Sequence, residues 1–195
     1  MTDNAKTRAD AWALVTEWTQ SESLRRHMLA VESAMRAYAR RFGEDEELWG
    51  LAGLLHDFDY ERYPSLEDHP KVGTALLEAH GYPEPVVHAI RSHNHLLGVP
   101  RDSLMDKTLF AVDELTGFIT AAALVRPGKS LDGLEARSVR KRMKDKAFAR
   151  QVSREDMTEG AELLGVDLDE HIAFVIDAMR PIASELGLAG ENSAG

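Results

Sequence analysis

Cysteine is absent from all 195 residues of this sequence. Disulfide bonds, thiolate zinc sites, iron-sulfur clusters and a cysteine nucleophile are therefore excluded. No apolar run approaches the roughly 18 residues of a membrane-spanning helix. The polar start, MTDNAKTRADAW, also lacks the apolar stretch of a secretory signal. We expect a cytoplasmic protein with no membrane partner, whose available metal ligands are imidazole and carboxylate groups.

Basic residues are in the minority, because 23 Lys and Arg stand against 33 Asp and Glu, a formal net charge of −10. Proteins that bind a phosphate backbone usually show a basic excess, so we expect no bulk nucleic acid as a partner. The exception is the stretch 126–150, which has nine basic and three acidic residues. It can be a solvated helix face, or a basic rim that attracts a small anionic substrate to the active site.

The hydrophobic pattern is helical nearly everywhere, and no alternating strand pattern of convincing length occurs. A chain of 195 residues with 44% hydrophobic content can bury one substantial core. We therefore predict a single all-α domain, a helical bundle. Gly43 fits a helix stop, and Ser153 with Asp156 resembles a capping box. The predicted helices cover 8–20, the stretch from a Ser-rich turn at 21–23 to 42, 45–57, 69–80, 83–95, 103–125, 153–164 and 169–186, with shorter helices in 131–150.

Metal-ligand residue types are set into apolar sequence that predicts helix: His27, the adjacent pair His56-Asp57, and Asp113. His27 lies on the apolar face of its predicted helix, and Asp113 interrupts the apolar segment LFAVDELTGFI. Burying such groups without a partner is costly, and a bound divalent cation is the usual compensation. His56 and Asp57 are about 100° apart on a helix, so both reach one ion only near a helix end or across a concave pocket.

The order of these residues resembles the HD superfamily of metal-dependent phosphohydrolases: His27, then His56-Asp57 at the end of LAGLLHDFDYE, then Asp113 in FAVDELTG. The resemblance covers roughly residues 24–120, and LVRPGKSL with the C-terminal helices resembles a small bacterial subgroup of predicted HD hydrolases. It implies an HD-like helical bundle in which these four residues hold one divalent ion of Fe, Mn, Co, Zn or Mg. We accordingly divide the chain into an N-terminal helix (1–22), an HD metal-binding core (23–125), a helical extension packed on the same domain (126–190) and a tail (191–195).

Two further segments, HPKVG from His69 and IRSHN around His93, resemble segments of binuclear HD enzymes such as the cyclic-dinucleotide phosphodiesterases. In that pattern Asp57 bridges two ions, and His69 and His93 complete the second. Three departures stand against it. Asn94 occupies a position where a second histidine is common, only 13 residues separate His56 from His69, and no HDxGK lysine follows the pair. A one-ion site, in which His69 and His93 contact the substrate, therefore stays open as an alternative to the two-ion site.

The resemblance implies hydrolysis of a small phosphorylated metabolite or nucleotide by a metal-activated water. The candidate catalytic residues are Asp57, through the metal, and Asp59 and Glu61 as general acid or base. The candidate phosphate contacts are Arg91, Lys129 and Lys144. The other four histidines, His80, His88, His95 and His171, match no motif position, and we do not expect them to be metal ligands.

Two alternatives to the hydrolase stay open. A few HD proteins with this ligand order are mixed-valent diiron oxygenases, which sequence spacing cannot separate from hydrolases. A non-catalytic ligand-binding HD module is the other alternative. The oligomeric state is also open, because apolar stretches such as FITAAALV can serve a homodimer as readily as a core.

Overall fold

A computed structural model describes residues 6–190, in which nine α-helices and two short 3-10 helices occur and no β-strand does. The helices are α1 (Arg8–Trp18), α2 (Glu22–Phe42), α3 (Glu46–Leu55), α4 (Lys71–Ala79), α5 (Glu84–His93), α6 (Leu104–Leu124), α7 (Ala136–Met143), α8 (Arg154–Leu164) and α9 (Leu168–Met179). None of the helices in the described part is long and apolar enough to cross a membrane. The all-α prediction is confirmed.

The chain divides into two compact units, Met1–Leu109 and Phe110–Gly195. Helices α1 to α5 and the start of α6 belong to the first unit, and the rest of α6 with α7 to α9 belongs to the second. The boundary falls inside the predicted 23–125 core, so the proposed domain limits stay a prediction. The predicted tail at 191–195 lies outside the described residues.

The first unit is organised by the contact of α3 with α2, and Gly53 shows how closely these helices approach. A Cβ at Gly53 would lie 2.8 Å from the Cα of Glu32 and 2.9 Å from its backbone nitrogen. These are backbone atoms of α2, so any side chain at this position would push the two helices apart. The buried Glu32 carboxylate at the contact is neutralised by Arg8 at 2.6 Å and Arg36 at 2.9 Å.

Local sequence sets where the helices around this contact begin and end. The Ser21 hydroxyl caps α2 by accepting from the Leu24 N–H at 3.3 Å, and the Asp45 carboxylate caps α3. Gly43 ends α2 in the left-handed conformation, with φ of 73°, as predicted. Helix α3 ends at Leu55, so the following pair at 56–57 lies where the helix gives way to a turn.

In the second unit α7 and α8 both pack on α9. Ser153 caps α8, which ends at Leu164 as predicted. Two other helix predictions were too long. The stretch 131–150 contains only α7, and the predicted helix to 186 stops at Met179 because Pro181 has no N–H to continue the ladder.

Candidate metal centre

His56 lies directly after α3, and its ring folds back onto that helix. Its Nδ1–H donates to the carbonyl of Gly53 at 2.8 Å, so in the neutral ring its Nε2 is an acceptor that points away from the helix. The close approach of α2 then brings the Nε2 of His27 to 3.2 Å from the Nε2 of His56. The two imidazoles form the first histidine pair of the site.

His93, the last residue of α5, repeats this arrangement. Its Nδ1–H donates to the carbonyl of Ile90 at 2.5 Å, and its Nε2 lies 3.3 Å from the Nε2 of His69. The ring of His69 is held from behind, because its Nδ1–H donates to the Asp59 carboxylate at 2.7 Å. His69 and His93 are both buried and form the second histidine pair.

Asp57 lies between the two pairs and presents one carboxylate oxygen to each. Its Oδ2 is 3.5 Å from the Nε2 of His56 and 3.9 Å from that of His27. Its Oδ1 is 3.1 Å from the Nε2 of His69 and 3.7 Å from that of His93. One carboxylate thus joins four imidazoles in a single cluster.

The donor set fits divalent metal. The Nε2 atoms of His56 and His93 each face the Nε2 of the partner imidazole, and an acceptor nitrogen there can take a hydrogen bond from that partner or bind a cation. Two nitrogens bound to one ion at about 2.0–2.1 Å lie about 2.8–3.4 Å apart, depending on whether the coordination angle is octahedral or tetrahedral. The separations in the two pairs, 3.2 and 3.3 Å, lie within that range. The ligand atoms of Asp57, His69 and His93 all lie within 4.8 Å of one another, so this group could hold an ion.

A proton can occupy the second pair when metal is not bound. Burial by itself lowers the pKa of His69, but hydrogen bonds to the carboxylates of Asp57 and Asp59 outweigh it and raise this pKa to about 9. His69 is therefore cationic at neutral pH in the metal-free protein. An ion bound there would replace this proton, as expected of a site built from histidine.

Asp59 is fully buried, and both of its oxygens are used inside the protein. Oδ1 accepts from His69, and Oδ2 accepts from the Gly73 N–H at 2.7 Å. A Cβ at Gly73 would lie 2.6 Å from the Asp59 Oδ2, so only glycine lets the backbone approach this carboxylate. Asp59 thus lies behind a candidate ligand rather than in an open site.

The remaining predicted residues of the first unit lie on two different surfaces. Glu61 is exposed, and its Oε2 accepts the N–H groups of Gln20 and Ser21 at 2.9 and 2.8 Å, at the start of α2. Arg91 is held between α4 and α5, where it donates to Glu78 at 3.0 Å. Its predicted phosphate contact stays a prediction.

Three predicted residues belong to the second unit. Asp113 lies on α6 and is partly buried, and its role as a ligand stays a prediction. Lys129 is exposed in the turn after α6, and Lys144 is exposed at the end of α7. Their predicted substrate contacts also stay predictions.

An open cavity of about 440 Å³ adjoins His27. Its other lining residues are Ser21, Ser23, Leu24, Tyr60, Glu61 and Pro64. The ring of Tyr60 also meets His69 edge-on, with centroids 5.1 Å apart. The serines were predicted only as the turn before a helix, although a hydroxyl-rich turn next to a candidate ligand is a signal for a pocket.

The other histidines have separate surroundings. His88 pairs with the buried Asp106 at 3.2 Å, and His171 is buried and donates to the carbonyl of Ala111 at 3.0 Å. His80 and His95 are exposed. Within residues 6–190 none of the four belongs to a group that could hold a metal.

Comparison with known proteins identifies part of the chain. Residues 24–117 match the family model of the HD domain, a range that includes every candidate ligand. Ribonuclease Y from Rhodopirellula baltica is 32% identical over 116 residues, which are 59% of this chain and 20% of that protein. The chain therefore spans about a fifth of the length of this relative. No solved structure matches the chain.

Proposed function

We propose that this chain, which belongs to the HD-domain superfamily, is a phosphohydrolase that acts on a small phosphorylated metabolite or nucleotide with one or two divalent ions. The observation that carries the proposal is Asp57, whose two oxygens face two separate histidine pairs. These residues would hold a divalent ion, which would supply an activated water and neutralise charge on phosphoryl oxygens. His69 and His93 with Asp57 support a second ion beside the one at His27 and His56.

The residues behind the ligands fix their orientation. The carbonyls of Gly53 and Ile90 hold the rings of His56 and His93 with Nε2 directed into the cluster. Asp59 does the same for His69. Such partners set the tautomer of a histidine ligand and raise its basicity. We therefore assign Asp59 a positioning role, and Glu61, which lines the cavity beside His27, is the remaining candidate for acid-base chemistry.

The cavity beside His27 supports a small substrate. Its volume of about 440 Å³ lies within the usual range of small-molecule sites, about 300–1,000 Å³. The net charge of −10 also disfavours a long polyanion. The similarity to a ribonuclease nevertheless makes a short RNA a necessary member of any substrate screen.

Metal content is the first experiment. Protein purified without chelator or His tag is measured by plasma mass spectrometry beside His56→Ala/Asp57→Ala, with His80→Ala as a control because that histidine is exposed and outside the cluster. One or two ions per chain, retained in His80→Ala and lost in the double variant, supports the proposal. Protein that holds no ion, and takes none up after dialysis against Mn, Co, Zn, Mg or Fe, supports the non-catalytic module instead.

Phosphate release is the second experiment. Metal-loaded protein is assayed on mononucleotides, cyclic nucleotides, sugar phosphates and a short RNA, with Glu61→Gln as a test of the acid-base candidate. The shared Asp57 carboxylate also suits a diiron centre, so oxygen uptake is measured on iron-loaded protein. Oxygen consumption without phosphate release would contradict the hydrolase assignment and support the diiron oxygenase.

A further inference from the structure

The second unit contains a cavity of about 360 Å³ that the proposed hydrolase does not use. One wall is a face of α7, because Ser138, Lys141 and Arg142 are spaced by three and four residues. Arg126, which follows the end of α6, also lines the cavity. Ala122 and Leu134 give the cavity an apolar floor.

The cavity concentrates positive charge in an acidic chain. Arg126, Lys141 and Arg142 line it together with a single carboxylate, Asp145, whereas the whole chain carries a net charge of −10. The Asp145 Oδ1 is already used by the Ala147 N–H at 2.9 Å. Like charges placed around one concave space repel one another unless an anion lies between them.

Both arginines are held in place. The Nη1 of Arg126 donates to the carbonyls of Ser130 and Asp132 at 2.5 and 2.6 Å. The guanidinium of Arg142 lies over the ring of Phe148, 4.9 Å from its centroid. Restrained guanidinium groups lose little conformational entropy on binding, and their planar donor array matches the oxygens of a phosphate.

We propose that this cavity binds the phosphate group of a small phosphorylated molecule, at a site distinct from the metal centre. Arg126, Lys141 and Arg142 contact the phosphate, the Ser138 hydroxyl donates to it, and the apolar floor contacts the group to which the phosphate is attached. The sequence analysis selected Lys129 and Lys144 from the same basic stretch, but neither lines the cavity. The proposal does not depend on the chemistry of the metal centre.

The test is calorimetric titration of metal-free protein, kept in chelator at constant ionic strength, with inorganic phosphate and with phenyl phosphate. The cavity variant is Lys141→Ser/Arg142→Ser. The control is Arg137→Ser/Arg150→Ser, which removes the same charge from exposed side chains that do not line the cavity. We expect one site per chain, tighter for phenyl phosphate, with affinity at least tenfold weaker in the cavity variant and within twofold of wild type in the control.

Three results would overturn the proposal: no saturable binding, equal loss in both variants, or loss of binding in His56→Ala/Asp57→Ala. The last would place the phosphate at the metal centre. If the cavity variant fails to fold, Ser138→Glu brings a carboxylate to the cavity from an exposed position and should abolish binding. Because the titration uses metal-free protein, its outcome is independent of whether the chain is a hydrolase.

Discussion

Replacing Asp59 by Asn tests whether a buried carboxylate orients a metal ligand. The side chain is fully buried, and its two oxygens accept separately from His69 and from the Gly73 N–H, each at 2.7 Å. An amide has the same shape but only one acceptor oxygen. One of the two donors must therefore face the NH₂ group of the new side chain.

The expected loss follows from that single unsatisfied donor. A buried donor left without an acceptor costs about 1–3 kcal/mol. For a chain of this size that lowers Tm by about 2–12 °C, at about 2–4 °C per kcal/mol. Loss of the group that orients a histidine ligand typically weakens metal binding by about 10–100-fold. We expect this loss for the ion at His69 and His93, whereas the site at His27 and His56 keeps its affinity.

Asp106 supplies a matched control. It is also buried beside a histidine, but its Oδ2 serves both the Ser103 N–H at 2.9 Å and His88 at 3.2 Å, while its Oδ1 has no hydrogen-bond partner. Asp106→Asn can therefore direct its oxygen to both donors, and its NH₂ group replaces an oxygen that already has no partner, so no existing hydrogen bond is lost. We expect a smaller change in Tm than in Asp59→Asn and none in metal content.

The assay is competition between protein and a chelator of known affinity for Mn or Zn, together with thermal unfolding of the chelator-treated protein. If Asp59→Asn has a lower Tm but binds both ions with wild-type affinity, Asp59 stabilises the fold and does not orient a metal ligand. An unchanged Tm would refute the two-acceptor arrangement itself.

Three further predictions concern the same site. Asp57→Ala should remove all bound metal and leave far-ultraviolet circular dichroism nearly unchanged; full metal content would contradict its shared role. Gly53→Ala should destabilise the protein by about 1–3 kcal/mol in urea unfolding, because the new methyl group meets the backbone of α2; an unchanged midpoint would contradict the close helix contact. In metal-free protein His69 has a pKa of about 9, above its ordinary 6.5, so its proton contributes stability below pH 6.5 that is lost between pH 6.5 and 9. The stability difference between wild type and His69→Gln should shrink by up to about 3 kcal/mol over that range, and a constant difference would refute the raised pKa.

The fold could be predicted from the sequence because it depends on local pattern, and helical periodicity, Gly43 and Ser153 sufficed for most of the helices. His27 and His56-Asp57 were predicted from their apolar setting. His69, His93 and the sharing of Asp57 were predicted only from the resemblance to binuclear HD enzymes. Pro181 was a readable signal for the end of α9, and the prediction of a helix to 186 ignored it.

The orientation of the rings depends on geometry that spacing does not encode. Sequence reasoning treated Asp59 as an acid or base because it follows the ligands in a loop. The turn instead directs its carboxylate inward, onto His69 and Gly73. Arg91 was expected to reach substrate because it lies close to His93 in sequence; the structure adds its hydrogen bond to Glu78 of α4, and the substrate contact stays a prediction.

One recurring detail could have been anticipated. His56 directly follows α3 and His93 ends α5, and each donates Nδ1–H to the carbonyl three residues earlier. A histidine at a helix C-terminus finds the last carbonyls of the helix without partners of their own. This position therefore favours a ring whose Nε2 is directed away from the helix, as a metal ligand requires, and it can be read from the predicted helix ends.

The shared carboxylate of Asp57 has a thermodynamic consequence for metal loading. Its single negative charge is divided between two histidine pairs, one at each oxygen. In the proposed two-ion site, an ion bound at one pair would withdraw charge from the oxygen that serves the other and would repel a second dication nearby. Occupancy of the two pairs should then be anticooperative, and by linkage the effect should be equal in both directions. When about one ion per chain is available, chains carrying a single ion should outnumber both empty and fully loaded chains, so a stoichiometry near one would reflect the site itself rather than damaged protein.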